Sequence, residues 1–318
     1  MTKERKGIAI WRSIYPILIF LGVDVLISMV PMYAHMFREV FAWMAENPNA
    51  EITSDVIEQF TESATNYLYS IATIITVIRS VILIPLFFVF MHLDTRRDKR
   101  LDKHVEFKPY SLLWLLILIP IGIASCWGFN NFVSMMIDWL QSGIDTLGIE
   151  YDLTSGFSDT SEVIYSSGTV LLLLTTCICA PLVEELLFRG LVYKRLRGIM
   201  SATPAMIISS LLFGIIHGNI VQFIYATLVG FVCAYVYEKF KTISAPILVH
   251  ASANIFSVFV TFLSEASTDT SGVEPSIGYY MLQTVCLLAV TFILLMILEK
   301  KFKREPKTIP NSEMENEQ

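Results

Sequence analysis

The chain has 318 residues, of which 54% are hydrophobic and only 16% are charged, and its mean hydropathy is +0.59. Soluble domains average about 25% charged residues, so this composition excludes an ordinary soluble domain and indicates several membrane spans. No nucleic-acid motif or internal repeat occurs, and nucleic acid is not expected as a partner. The five cysteines lie in or beside apolar runs, where cysteine behaves as a small buried hydrophobic residue.

A helix needs about 20 apolar residues to cross a bilayer core about 30 Å thick. Eight apolar segments are interpreted as such helices, so the predicted fold is all-α, a polytopic membrane bundle of about eight transmembrane helices. The segments are residues 8–30, 67–92, 110–129, 168–193, 204–217, 220–237, 243–263 and 279–298. An acidic loop with some helical character is expected at 32–65, and a partial helix is expected at 132–140.

Basic residues are concentrated in the connections on one side of this bundle. Cytoplasmic loops of membrane proteins carry an excess of lysine and arginine, so both termini are predicted to be cytoplasmic, which requires an even number of spans. Of the 23 lysines and arginines, 19 lie in residues 1–7, 93–109, 194–200, 238–242 and 299–318.

Two charged residues fall near the middle of the first two spans, Asp24 and Arg79. A charged side chain at the bilayer centre costs at least roughly 2.5–3.5 kcal/mol. The two side chains are therefore expected to form a structural ion pair between these helices.

The first of three polar motifs lies in the fourth span, where Glu184 and Glu185 are followed by Arg189. Residues four apart share a face of a helix, so Glu185 and Arg189 are expected to pair. The Glu184 side chain points away from that of Glu185 by about a quarter of a turn, so its carboxylate is not part of this ion pair.

The second and third motifs contain the two histidines that fall within predicted spans, His217 and His250. Gly214 and Gly218 flank His217 with small-xxx-small spacing, which predicts close approach of a neighbouring backbone. His250 and Asn254 are four residues apart, with only small residues between them.

Each motif alone has a structural explanation, as a buried ion pair or as a hydrogen bond between helices. Together they supply a carboxylate, two imidazoles and an amide from three helices, which suits hydrolysis by water. A carboxylate held away from bulk water serves as a general base, imidazoles orient the water or bind zinc, and an asparagine amide stabilises an oxyanion.

At these residues the sequence resembles the CAAX-protease and bacteriocin-processing (CPBP) family of intramembrane endopeptidases, which includes the type II CAAX prenyl endopeptidases. The family motifs EExxxR, FxxxH and HxxxN stand here as Glu184 to Arg189, Phe213 to His217 and His250 to Asn254. The resemblance implies that Glu184 activates water, that His217 holds it, and that His250 and Asn254 complete the site. Glu185 and Arg189 would support its geometry.

The resemblance leaves the role of a metal open. Glu184, His217 and His250 could form a three-ligand catalytic zinc site, but a glutamate that binds zinc is not free to act as the base. The metal-independent mechanism is the one we favour from the sequence.

The resemblance divides the chain into three parts: an N-terminal three-helix region with acidic outer loops, 1–165; a catalytic core, 166–265; and a last span with a charged cytoplasmic tail, 266–318. The implied partners are the lipid bilayer and a membrane-bound peptide or protein substrate, and the implied location is the plasma membrane of a bacterium.

Other functions remain as alternatives. HExxH is absent, which argues against a site-2 zinc protease, and no GxGD or suitable GxSx motif points to an aspartyl or rhomboid-like enzyme. The main alternative is a catalytically silent membrane scaffold of the same fold, such as a bacteriocin-immunity or regulatory protein. A small transporter is disfavoured because no paired repeat of broken helices occurs.

Overall fold

The computed structural model describes residues 3–100, 116–157, 168–266 and 276–301. These stretches contain nine helices and no strand, and we number the helices in chain order. They are α1 (Lys3–Glu46), α2 (Ser54–Ser70), α3 (Ala72–Arg100), α4 (Leu118–Thr146), α5 (Thr169–Arg197), α6 (Ala202–Ile215), α7 (Ile220–Phe240), α8 (Ser244–Ala266) and α9 (Ile277–Lys301).

The predicted fold class, a polytopic helical membrane bundle, is confirmed. Six helices are long and apolar enough to cross a membrane, namely α1, α3, α5, α7, α8 and α9, and α6 is a shorter apolar helix. The count of eight spans and the cytoplasmic termini stay predictions. The predicted features at residues 101–115, 158–167 and 302–318 lie outside the described residues.

Helix α1 is much longer than the predicted span 8–30. Its 44 residues correspond to about 66 Å at 1.5 Å per residue, roughly twice the thickness of a bilayer core. The helix continues through Pro31 to Glu46 and then packs against α2, with the rings of His35 and Tyr67 stacked at 4.3 Å. The predicted acidic loop is therefore mostly a helical hairpin.

The expected ion pair between Asp24 and Arg79 is present. Arg79 Nη1 donates to Asp24 Oδ1 at 2.7 Å, and the guanidinium lies 5.3 Å from the centre of the Phe20 ring. This contact joins α1 to α3 within their apolar parts.

Helix α5 lies at the centre of the packing and contacts α1, α3, α6, α7 and α8. Its side chains Leu186, Leu187 and Phe188 are fully buried. All eight residues from Leu186 to Tyr193 are buried, which is typical of a helical segment in the core of a bundle.

Helix α4 packs on α8 and α9. Gly122 of α4 lies directly beneath the Val249 carbonyl and Ser252 of α8, so that a Cβ at this glycine would clash with both. The small residues between His250 and Asn254 thus allow close packing of α8 against α4. The predicted partial helix 132–140 is part of α4 and is not a separate element.

Candidate active site

The backbone of α5 changes its hydrogen-bonding pattern on both sides of the two glutamates. An α-helical turn, Ala180–Glu185, lies between two π-helical stretches, Leu173–Cys179 and Leu186–Tyr193. π-Helical turns bond residue i to i+5, are rare, and occur frequently at functional sites.

Pro181 gives one of these changes a physical cause. Proline has no backbone N–H, so it cannot donate to the carbonyl of Thr176, five residues earlier, as a π-helical pattern would require. Asn254 of α8 donates its Nδ2 to that carbonyl at 2.8 Å. A primary amide has a second N–H, which leaves Asn254 one donor for a further partner.

Glu185 and Arg189 form the predicted ion pair, and both side chains are fully buried. Arg189 Nη1 donates to Glu185 Oε1 at 2.8 Å, and Nη2 donates to the Gly230 carbonyl of α7 at 2.7 Å. Breaking a buried ion pair by removing one partner costs about 3–5 kcal/mol, so this pair fixes α5 against α7.

His250 lies between the two carboxylates. Its Nδ1 donates to Glu185 Oε1 at 2.9 Å, and its Nε2 is 3.8 Å from Glu184 Oε2. The side chain of Glu184 is 13% exposed and that of His250 is 8% exposed. The bond to Glu185 orients the imidazole so that Nε2 faces Glu184.

His217 lies in the turn between α6 and α7, two residues after the end of α6. Its Nδ1 donates to the Phe213 carbonyl at 2.8 Å. Because a carbonyl can only accept, this bond assigns the proton to Nδ1 and leaves Nε2 as the free nitrogen.

The ring of Phe213, which is 1% exposed, joins the two histidines. Its centre is 5.0 Å from the His217 ring and 5.7 Å from the His250 ring, both nearly perpendicular, and the Arg189 guanidinium lies 4.7 Å from it. The structure thus brings α5, α6 and α8 to one aromatic side chain, although no ion pair links His217 to Glu184.

The predicted glycine pair around His217 is half right. Gly214 is in tight contact with α7, because a Cβ there would lie 2.6 Å from the Phe223 carbonyl oxygen. The interpretation of Gly218 is wrong: nothing lies near its Cβ position, and its φ of +77° shows that it serves the turn into α7.

The fit of a metal ion can be judged from the donor groups. Within the described parts of the chain, no group of three or more His, Cys, Asp or Glu side chains is gathered that could hold a metal ion. The predicted ligand set of Glu184, His217 and His250 is therefore not assembled as a three-ligand site.

Three features of the site were missed from the sequence: the Thr176 and Gly230 carbonyls as acceptors and the Phe213 ring as a link between the histidines. Pro181 within an apolar helix was a usable signal, since it marks a carbonyl that lacks its normal donor. The Gly230 carbonyl and the contact of Phe213 with His250 depend on packing between distant helices, for which the sequence has no local signal. The contact of Phe213 with His217 joins residues four apart and lies within the FxxxH motif.

Comparison with known proteins found two similarities in sequence. Residues 166–256 match the family described as Rce1-like type II CAAX prenyl endopeptidases. The chain is also 27% identical over 150 residues to the Bacillus subtilis (strain 168) protein named "Putative membrane peptidase YdiL"; the alignment covers 47% of this chain and 56% of that protein. No solved structure matches the chain.

Proposed function

We propose that this protein is a membrane peptidase of the CPBP family, in agreement with the match of residues 166–256 to Rce1-like type II CAAX prenyl endopeptidases. We further propose that it is an intramembrane endopeptidase that cleaves a peptide bond with a water molecule activated by a glutamate. The observation that carries the proposal is the position of His250. It links the first and second glutamates of α5 within a nearly buried cluster.

Glu184 is the proposed general base, because its carboxylate is mostly buried but is not occupied by the Arg189 ion pair. It takes a proton from water, and the resulting hydroxide attacks the carbonyl carbon of the substrate. His217 holds this water through its free Nε2. When the tetrahedral intermediate collapses, the C–N bond breaks and the proton on Glu184 passes to the leaving nitrogen.

His250 and Asn254 are the proposed oxyanion stabilisers. In this step His250 acts as an imidazolium, because its Nδ1–H is donated to Glu185 and only a second proton, on Nε2, can be donated to the oxyanion. Donors that are fixed before the reaction, in a site shielded from water, stabilise the charge that develops on the substrate oxygen. Glu185 orients His250, and the Thr176 carbonyl orients Asn254. Glu185 and Arg189 therefore support the site without contacting the substrate.

The proposed substrates are membrane-associated peptides or proteins, either prenylated at the C-terminus, as the name of the matching family suggests, or precursors of peptides. The plasma membrane of a bacterium is the proposed location. The presence of the site among membrane-spanning helices supports a substrate that reaches it from the bilayer.

Glu184→Gln tests the proposal. The variant keeps the size of the side chain but removes the base, so cleavage is expected to fall at least 100-fold, at or beyond the lower end of what a positioned base contributes. Mass spectrometry of membrane peptides from cells with wild-type or variant protein measures this, and a fragment seen only with wild type names the cleavage site.

Glu46→Gln is the matched control, because Glu46 is an exposed carboxylate at the end of α1. Both variants must insert in the membrane at wild-type levels. If Glu184→Gln leaves both the peptide pattern and the cellular activity unchanged, the proposal fails and the catalytically silent scaffold is the better description.

A further inference from the structure

We propose that Phe213 is a positioning residue, which holds the imidazoles of His217 and His250 at a fixed separation and sets which nitrogen of His217 is free. The inference rests on the proposed function only for the roles of these histidines. Phe213 itself contacts neither substrate nor water in the proposed reaction.

The ring acts on both histidines from the same buried place. Each imidazole meets it nearly at right angles, at 85° for His217 and 83° for His250. Edge-to-face contacts are the favoured geometry of aromatic pairs and are directional. Two such contacts on one ring relate the position of His217, in the turn after α6, to that of His250 on α8.

The ring cannot move away from this place. A Cβ at Gly230 of α7 would lie 2.9 Å from the Phe213 Cδ1 atom, so the ring already rests on the backbone of that helix. The Arg189 guanidinium lies 4.7 Å from its centre. Both histidines therefore pack against an aromatic ring that is itself held in place by its neighbours.

The backbone of the same residue fixes the proton of His217. The Phe213 carbonyl accepts from Nδ1, and the ring holds the imidazole in the orientation in which this bond forms. If the ring is lost, the imidazole gains freedom to rotate, and the alternative tautomer with the proton on Nε2 becomes populated. That tautomer cannot accept from water at Nε2.

Phe188 provides a matched control. It is fully buried and packs on Phe213, but among the described residues its ring contact is with Phe213 and with neither histidine. Phe213→Met and Phe188→Met each remove one buried ring and fill most of the space with a flexible side chain. Loss of packing alone therefore affects the two variants alike.

The decisive measurement is the ¹⁵N spectrum of the full-length protein labelled at histidine, with the signals assigned by His217→Gln and His250→Gln. In wild type and Phe188→Met, His217 is expected to show one tautomer, protonated at Nδ1. In Phe213→Met, a second, Nε2-protonated form is expected. An unchanged His217 signal in Phe213→Met, or equal changes in both variants, overturns the inference.

A second measurement uses cleavage of a fluorogenic peptide that ends in a prenylated Cys-aliphatic-aliphatic-Ser sequence. Phe213→Met is expected to lower kcat about 100-fold with little change in KM, because a misplacement of about 1 Å has an effect of this size. The kcat of Phe188→Met is expected to stay within a few-fold of the wild-type value. Equal kcat values for the two variants overturn the inference. If wild type shows no Glu184-dependent cleavage of this peptide, the prenylated substrate class is excluded. The comparison of membrane peptides between wild type and Glu184→Gln then decides the proposed function, and the nitrogen spectra decide the role of Phe213. Should Phe213→Met fail to fold, Phe213→Leu replaces it in both measurements.

Discussion

At the scale of single residues, the second glutamate of the pair has two partners that arise in different ways. The contact of Glu185 with Arg189 follows from helical periodicity, because the residues are four apart on one helix, and it could be predicted from the sequence. The contact with His250 joins positions 65 residues apart and depends on how α8 packs against α5. No local pattern encodes such a contact, so it could only be found in the structure.

These two partners lead to a prediction that separates stability from activity. Glu185→Leu leaves Arg189 buried without its carboxylate, and the free energy of unfolding is expected to fall by about 3–5 kcal/mol. In the double variant Glu185→Leu/Arg189→Met no buried charge is left unpaired, so most of that loss is expected to be recovered. Cleavage stays impaired in the double variant because His250 has lost the acceptor that orients it.

Thermal unfolding in detergent and peptide cleavage, measured on the same preparations, test this pair of variants. Recovery of both stability and cleavage in the double variant would show that Glu185 only neutralises Arg189 and does not orient His250.

At the scale of helices, hydropathy located most spans within a few residues, since burial in lipid selects composition directly. For example, the predicted span 220–237 corresponds to α7, Ile220–Phe240. The part of α1 beyond residue 30 was missed because residues 32–65 were interpreted as an acidic loop with some helical character. The π-helical turns of α5 have no hydropathy signature and depend on its packing and on Pro181.

The contact between α6 and α7 gives a prediction at this scale. Gly214→Ala would place a methyl group 2.6 Å from the Phe223 carbonyl oxygen and closer still to Thr227 Oγ1. Overpacking of this kind typically costs about 1–3 kcal/mol, and displacement of α6 also moves His217. Both the unfolding temperature and the rate of cleavage are therefore expected to fall.

Gly22→Ala is the control for this substitution, because Gly22 lies inside α1 with nothing within 4 Å of its Cβ position. Alanine is the better helix former, so this variant is expected to be neutral or slightly stabilised. Equal behaviour of the two variants in thermal unfolding would contradict the close approach of α6 and α7.

At the scale of the whole molecule, a buried ion network ties the N-terminal region to the candidate site. Asp94 of α3 accepts hydrogen bonds from Arg12 of α1 and, at 2.7 Å, from Arg195 of α5; Arg195 also lies over the Tyr15 ring. In the sequence, Asp94 and Arg195 fall in connections that were predicted to be cytoplasmic, 93–109 and 194–200, whereas Arg12 falls in the predicted span 8–30. These hydrogen bonds join α1, α3 and α5.

This network also marks one end of the bundle. Arg12, Asp94 and Arg195 lie at the ends of α1, α3 and α5 where the basic residues are concentrated. The excess of lysine and arginine at these ends predicts that they are cytoplasmic. The turn between α1 and α2 and the segment after α4 are then on the outer side.

A cysteine at Asn49 or Ile149, introduced into a cysteine-free background, is expected to react with a charged, membrane-impermeant maleimide in intact cells. A cysteine at Lys99, which is also exposed, is expected to react only after the cells are made permeable. Reaction of all three positions in intact cells would mean that α3 does not cross the membrane, and labelling of position 99 alone would reverse the orientation of the whole bundle.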